Sequence, residues 1–137
     1  RREVAGVDHS PEAVETTRRL NRSAIASGRL RVLEGSVDHL PFRDGFFDVV
    51  TAFETTYFCP DLQAGLIEIR RVLSPGGRLV ITNEVADREA AGHWAERLGM
   101  NVPDGRSLAA LAHEAGFLTA DISLHPRHGW LRLLTTR

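Results

Sequence analysis

Short, almost uninterrupted apolar runs recur along the chain, and each of them predicts a buried strand. Residues 4–7 (VAGV) form the first run and residues 30–33 (LRVL) the second. Residues 46–50 (FFDVV) and 79–82 (LVIT) continue the series. Runs that leave so few polar positions are typical of parallel strands covered by helices on both faces. The pattern therefore predicts an α/β fold with a mostly parallel sheet.

Segments with apolar residues at helical spacing separate these strands. The first begins at Ser10-Pro11, a good N-cap followed by a proline suited to the first turn, and ends at Gly28. The second lies between Asp61 and the Ser-Pro-Gly-Gly breaker at residues 74–77. Two weaker helical patterns follow, at residues 87–98 and 108–115.

The end of the chain has a different pattern. Ala120, Ile122 and Leu124 alternate with polar residues, residues 126–129 favour a turn, and residues 130–135 return as a second apolar run. This pattern predicts an antiparallel hairpin at the C-terminal end of the sheet.

Four of these features, taken in order, resemble the class I S-adenosylmethionine-dependent methyltransferases. They are a strand that ends in an acid (Gly6-Val7-Asp8), a loop with Gly35 and Leu40-Pro41-Phe42, the strand start Phe47-Asp48-Val49-Val50, and Leu73-Ser74-Pro75-Gly76-Gly77 before a strand. The resemblance covers residues 4–84. It implies a Rossmann-like three-layer sandwich that binds S-adenosylmethionine and methylates a small-molecule acceptor.

One part of the family pattern has no counterpart in the sequence. The family begins with a central strand and a glycine-rich turn, whereas only three residues precede Val4. We therefore expect residues 1–137 to form one partial domain, truncated at its N-terminus, with weak cofactor binding and no useful activity alone. Either residues 4–7 pair directly with residues 47–51, or association with another chain fills the gap. Unpaired inner edges favour self-association, so we expect a homo-oligomer in the second case.

The resemblance assigns the cofactor to residues at the strand ends. Asp8 would accept hydrogen bonds from both ribose hydroxyls, because a carboxylate offers two acceptor oxygens and no donor; the alternative is that Asp8 or Ser10 only caps a helix. Ser36 stands where the family has an acid, and with the backbone of Val37 it would contact the adenine. His9 either covers the adenine face or is an exposed residue at a helix start.

The methyl-transfer end is assigned to the segment after residue 50. Phe53 and Glu54 would face the methionine part of the cofactor and the acceptor, and Glu54 and Glu84 end successive strands. Glu54 is a candidate general base for an oxygen or nitrogen nucleophile. The alternatives are that it balances the sulfonium charge or lies in solvent, because alignment of the reacting atoms alone accelerates such reactions.

Composition excludes several other classes of protein. A formal net charge of −1 disfavours nucleic acid and anionic membranes as partners, and no apolar run reaches the length of a membrane span. A single cysteine, Cys59, fits a reducing compartment, so we expect the cytoplasm. His125 and His128 lack a third metal ligand nearby, so we expect no metal site.

Two other classes of function compete with a methyltransferase. The first is a non-catalytic, methyltransferase-like remnant or interaction module, which the absent glycine turn and Ser36 favour. The second is a nicotinamide-binding domain, in which an acid also ends the second strand. The segments at 40–42 and 75–77 argue against the second.

Overall fold

The computed structural model describes residues 3–137, and its parallel strands form two separate pairs. Strand β1 (Val4–Asp8) pairs in parallel with β2 (Leu30–Glu34). Strand β3 (Phe47–Phe53) pairs in parallel with β4 (Leu73–Asn83). The predicted parallel strands are confirmed, and each of the four lies where an apolar run predicted it.

The C-terminal hairpin is also confirmed. Strand β5 (Asp121–Leu124) is antiparallel to β6 (Leu131–Thr136), and β6 is antiparallel to β4. The larger sheet therefore has the order β3-β4-β6-β5, with β6 in an inner position.

Within residues 3–137, six helices connect or cover the strands. They are α1 (Pro11–Leu20), α2 (Arg22–Ala26), α3 (Leu62–Val72), α4 (Arg88–Ala91), α5 (His93–Arg97) and α6 (Gly105–Glu114), with a 3₁₀ turn at Thr56–Phe58. Two segments predicted as single helices are each divided in two. The first breaks at Asn21, and the other breaks at Gly92, whose φ of 53° lies outside the right-handed helical region.

The predicted helix starts follow the usual capping chemistry. The Ala13 N–H donates to the Ser10 hydroxyl at 3.2 Å, as expected for an N-cap. At α3 the Ala64 N–H donates to the Asp61 carboxylate at 2.9 Å. These caps fix where α1 and α3 leave the strand ends that precede them.

Strand β4 begins earlier than its apolar run predicts. Phe47 pairs with Leu73, and the next pair is Val49 with Arg78, so the residues between Leu73 and Arg78 form an irregular excursion of β4. Gly77 is required there, because a Cβ on it would lie 2.8 Å from the Ser74 carbonyl oxygen. The Ser-Pro-Gly-Gly segment at residues 74–77, predicted to separate α3 from the next strand, is thus part of β4, where it forms a bulge.

The main core lies between α3, α6 and one face of the larger sheet. Its fully buried members include Leu66 from α3, Leu108 from α6, Leu79 from β4 and Leu133 from β6. On β3, the alternate residues Val49 and Phe53 are 54% and 60% exposed. The opposite face of β3 is therefore only partly covered within residues 3–137.

The two sheets are not joined by hydrogen bonds. β1 and β3 are both edge strands, so the direct pairing considered for residues 4–7 and 47–51 does not occur. Among residues 3–137, every helix is too short or too polar to span a bilayer.

Candidate functional site

A cavity of about 760 Å³ separates β1 from β3. Residues of both strands line two sides of the cavity. A third side is lined by residues of α3, namely Leu62, Leu66 and Ile69. The loop after β2 and the segment after β3 surround the end of the cavity at which Asp8 lies. Its volume is within the range of small-molecule sites.

Asp8 ends β1 with part of its carboxylate free. Its Oδ1 accepts a hydrogen bond from the Ser10 N–H at 2.9 Å, and its side chain is 47% exposed. The helix cap itself is the Ser10 hydroxyl, so capping α1 does not require Asp8. No donor within residues 3–137 is hydrogen-bonded to Oδ2. Asp8 can therefore accept from a ligand in the cavity while the Ser10 N–H orients it.

The other residues predicted to contact the cofactor divide into two groups. His9, Ser36 and Val37 line the same cavity as Asp8, and His9 Nδ1 lies 3.7 Å from Asp8 Oδ1. Phe53 does not line this cavity, and its side chain is largely exposed. The structure thus brings together the predicted ribose and adenine residues and leaves Phe53 apart from them.

An ion-pair network on α3 holds the loop that carries Ser36. The Leu40 N–H donates to Glu68 Oε1 at 2.8 Å, and Arg71 Nη2 donates to the Leu40 carbonyl at 3.1 Å. Arg71 also pairs with both Glu68 oxygens and, at 2.7 Å, with Asp44. Arg71 thereby lowers the pKa of Glu68 and keeps it ionised. These contacts of Leu40 with Glu68 and Arg71, which we call the clamp, hold the middle of the loop against α3.

The loop that carries Ser36 also packs closely against α3. A Cβ on Gly65 would lie 3.1 Å from Cγ1 of Val37 and 3.4 Å from the Cys59 sulfur. A side chain at this position would require Val37 to move away from α3 by a few tenths of an ångström. The loop position therefore depends on Gly65 as well as on the clamp.

Glu68→Gln should destabilise the fold in a pH-dependent way. The folded-state pKa of Glu68 is below its ordinary value of 4.5, so its stabilising contribution is present above that pH. The contribution is lost as the pH falls through the folded-state pKa. Above pH 5 we expect the variant to be less stable by roughly 1.5 kcal/mol, the lower end for a hydrogen bond to a charged group.

Urea denaturation at a series of pH values measures this effect. Glu15→Gln on the exposed side of α1 is the control and should change stability little at any pH. A Glu68→Gln deficit that stays constant down to pH 2 would contradict the role of the ionised carboxylate.

Glu54 has an unusual backbone at the end of β3. Its φ is 55°, and it is the one non-glycine residue with positive φ among residues 3–137. Its Oε1 accepts a hydrogen bond from the Glu84 N–H at 2.6 Å, and Glu54 lines the cavity. A left-handed conformation costs about 1–2 kcal/mol for such a residue, and strain of this kind is concentrated at functional sites. Glu84 contributes its backbone to this contact and does not line the cavity.

Buried polar contacts fix the segment that follows Glu54. The Tyr57 hydroxyl accepts from the Val85 N–H at 2.9 Å and donates to the Val85 carbonyl at 3.2 Å. Burial raises the pKa of Tyr57 to about 12, so the phenol stays neutral and keeps both bonds. The buried Asn83 amide donates to the Thr56 hydroxyl at 2.9 Å. The rim of the cavity near Glu54 is thus rigidly tied to the end of β4.

Sequence reasoning did not identify the clamp or the tyrosine contacts. The only available signal for the clamp was the spacing of Glu68 and Arg71 on one helix face, which does not indicate a loop partner. Tyr57 follows a predicted strand end, and nothing in the sequence identifies Val85 as its partner.

Comparisons with known proteins agree with this geometry. A family model described as a methyltransferase domain matches residues 1–81. A demethylmenaquinone methyltransferase of Thermus thermophilus is 46% identical over 81 residues, covering 58% of this chain and 35% of that protein. An O-methyltransferase of Aspergillus nomiae is 30% identical over 120 residues, covering 83% of this chain and 53% of that protein. The chain thus spans between about a third and a half of these curated relatives.

Solved structures match the fold over almost the whole chain. In the complex of the Trm112 methyltransferase activator from Haloferax volcanii, the methyltransferase superposes with a TM-score of 0.85 at 22% identity. The match covers 98% of this chain and 71% of that one. The predicted Rossmann-like α/β fold is confirmed.

Proposed function

Because the chain belongs to the methyltransferase domain family, whose class I members use S-adenosylmethionine, we propose that it binds this cofactor in an enzyme that methylates a small molecule. The observation that carries the proposal is the cavity between β1 and β3. It brings the Asp8 carboxylate and the Ser36 loop together at one end.

The residues around the cavity fit the cofactor chemically. Asp8 offers an unoccupied carboxylate oxygen for a ribose hydroxyl, and the Ser10 N–H holds its other oxygen. The Ser36 hydroxyl and the Val37 backbone take the adenine, and the exposed His9 ring covers it. S-adenosylmethionine supplies an electrophilic methyl group, so the protein's own contribution is to orient the acceptor and exclude water.

The acceptor is proposed to be a small molecule. One relative is named as a demethylmenaquinone methyltransferase, and demethylmenaquinone is a small molecule; another is named as an O-methyltransferase. A net charge of −1 gives no attraction to nucleic acid or to an anionic membrane. We place the protein in the cytoplasm, where a free cysteine such as the buried Cys59 stays reduced.

A non-catalytic remnant or interaction module is the second candidate. It is favoured by Ser36, which replaces the family's acid, and by the separation of β1 from β3. Calorimetric titration of S-adenosylhomocysteine into the chain, and into a version extended at the N-terminus, decides between the two. Binding by the extended version supports the enzyme, and absence of binding by both supports the remnant.

Glu54→Gln should lower turnover more than it lowers cofactor affinity. Glutamine keeps an oxygen that can accept from the Glu84 N–H, so the local structure is retained while the basic carboxylate is lost. We expect roughly a hundredfold loss in kcat, the order of a general-base contribution, with the cofactor Kd nearly unchanged.

Methyl transfer to the acceptor and S-adenosylhomocysteine titration measure the two quantities separately. Glu96→Gln, an exposed carboxylate on α5, is the matched control. An unchanged kcat for Glu54→Gln would remove Glu54 as the base and favour alignment alone.

A further inference from the structure

A second cavity, of about 590 Å³, lies beside β2 and the helices α1 and α2. It shares no lining residue with the cavity between β1 and β3. We call it the arginine groove, and the lining residues that define it are Arg18, Arg19, Arg22, Ile25, Leu30 and Leu33. The groove is therefore separate from the cavity assigned to the cofactor.

Positive charge is concentrated in the segment that forms the groove. Residues 15–33 contain five arginines and one acid, Glu15, so the segment has a formal charge of +4, whereas the whole chain has −1. Arg18 and Arg19 lie in the last turn of α1, and Arg22 is the first residue of α2. Long side chains that begin so close together can contact one anion at the same time.

Arg18 is held in place by β2. Its Nε and Nη2 both donate to the Val32 carbonyl, at 3.1 and 2.7 Å. A guanidinium has five N–H groups, so three of those on Arg18 have no acceptor among residues 3–137. An arginine that is already oriented loses less conformational freedom when an anion binds to it.

The other arginines of the groove differ in how far their charge is balanced. Arg19 and Arg22 make no ion pair with any acid in the described part of the chain. Arg31 also lines the groove, but it pairs with Glu3, and its guanidinium lies 5.6 Å from the centroid of the Phe42 ring. Arg19 and Arg22 are therefore the arginines that join Arg18 in binding an anion.

Another part of the groove wall is apolar. Ile25, Leu30 and Leu33 line it, and each of them is only partly buried. The volume of the groove lies within the range of sites for organic molecules, so an inorganic anion would fill only part of it. The groove fits an anion that carries an apolar group.

We propose that the arginine groove binds a small organic phosphate, a monoester whose apolar group lies against Ile25, Leu30 and Leu33. Arginine matches phosphate oxygens in both geometry and charge. The three arginines and Glu15 together have a formal charge of +2, which the roughly two negative charges of a monoester neutralise. The proposal does not depend on methyl transfer.

The spacing of the arginines favours a single phosphate group over a polyanion. A nucleic-acid backbone is bound by a row of cations along successive phosphates. Here the three arginines lie within five positions, at 18–22, and Glu15 of the same groove would repel a neighbouring phosphate. The ligand is therefore a small molecule.

Titration with hexyl phosphate, followed by nuclear magnetic resonance at about pH 8, tests the proposal in the chain extended at its N-terminus. We expect the amide signals of residues 15–33 to shift and those of residues 49–54 in and after β3 to stay unchanged. Inorganic phosphate should bind roughly tenfold more weakly, which corresponds to the burial of about two methylene groups. Hexyl sulfate, a monoanion of similar shape, should also bind more weakly. Shifts confined to residues 49–54, or no binding at all, would overturn the proposal.

A double variant removes the two unpaired arginines. Arg19→Gln combined with Arg22→Gln should weaken hexyl phosphate binding by roughly tenfold, the scale of two partly exposed ion pairs. Both side chains are exposed, so the fold should be retained, and urea denaturation of the same sample checks this. The control combines Arg106→Gln with Arg127→Gln, which removes the same charge at exposed positions outside the groove. Equal affinities of the double variant and this control would contradict the proposed site.

Ile25→Ala tests the apolar part of the groove. It should weaken hexyl phosphate binding by roughly fivefold and leave inorganic phosphate unchanged, because only the hexyl group contacts Ile25. Equal weakening of both ligands would exclude an apolar contact. Vesicles of phosphatidylcholine with phosphatidic acid present the same phosphate group on a membrane surface. Co-sedimentation with these vesicles, without any binding of soluble hexyl phosphate, would assign the arginines to a membrane and overturn the proposal.

Discussion

Asp8→Ala is expected to weaken binding of S-adenosylhomocysteine by about 1.5–3 kcal/mol, or roughly 10- to 150-fold. This is the scale of hydrogen bonds made by a charged group, and the ribose would lose its carboxylate partner. Calorimetric titration into the chain extended at its N-terminus measures the affinity. Denaturation of the same sample reports whether the fold is intact.

Asp8→Asn is the matched control for the local structure. The asparagine oxygen can still accept from the Ser10 N–H, which Asp8 now binds at 2.9 Å, while the charge is lost. We expect its affinity to lie between those of the wild type and the alanine variant. The asparagine variant could bind S-adenosylhomocysteine as tightly as the wild type does, while the alanine variant differs from the wild type only in its stability. In that case the role of Asp8 is to stabilise the turn after β1 and not to bind the ribose.

Leu66→Ala is expected to cost about 2–5 kcal/mol of the free energy of unfolding. Leu66 is fully buried in the core between α3, α6 and the larger sheet, so its removal loses transfer free energy and leaves a void. Domains of this size are stable by about 5–15 kcal/mol, so the variant should lose a large part of its stability.

The neighbouring residue supplies the control for this experiment. Ile67 is exposed on the same turn of α3, and Ile67→Ala should change stability by no more than about 0.5 kcal/mol. Urea denaturation of both variants gives the comparison. Equal losses would mean that α3 contributes through its helix and not through the buried face.

The strands were predictable because their apolar residues form nearly continuous runs. The runs at residues 4–7 and 30–33 leave hardly any polar position, and they became β1 and β2 with boundaries shifted by one residue at most. The C-terminal hairpin followed from alternation and a turn. In each case the hydrophobic pattern and the backbone geometry agree.

The divided helices were not predictable from the same pattern. Apolar spacing continues through Asn21 and Gly92, whereas the backbone changes conformation at both residues. At Asn21 the side-chain amide donates to the Thr17 carbonyl at 2.9 Å, a local bond that competes with helix continuation. Hydrophobic periodicity does not register such local bonds.

The site was predictable only where it depends on strand ends. Asp8 and Ser36 follow parallel strands, so their meeting at one cavity follows from topology. The clamp between Leu40 and Glu68 joins residues far apart in sequence, and no local pattern indicates it. The left-handed backbone of Glu54 was also hidden, because a glutamate gives no sign of positive φ.

The inner position of β6 determines the order in which the chain can fold during synthesis. β6 is made after β3, β4 and β5, yet it lies between β4 and β5 in the larger sheet. About 50 residues separate the end of β4 at Asn83 from the start of β6 at Leu131. At about 5–20 residues per second, the apolar edge of β4 therefore waits roughly 3–10 s for its partner on the ribosome. During that interval the unpaired edge of β4 is open to association with other chains, and slowing translation after residue 83 should lower the yield of folded protein.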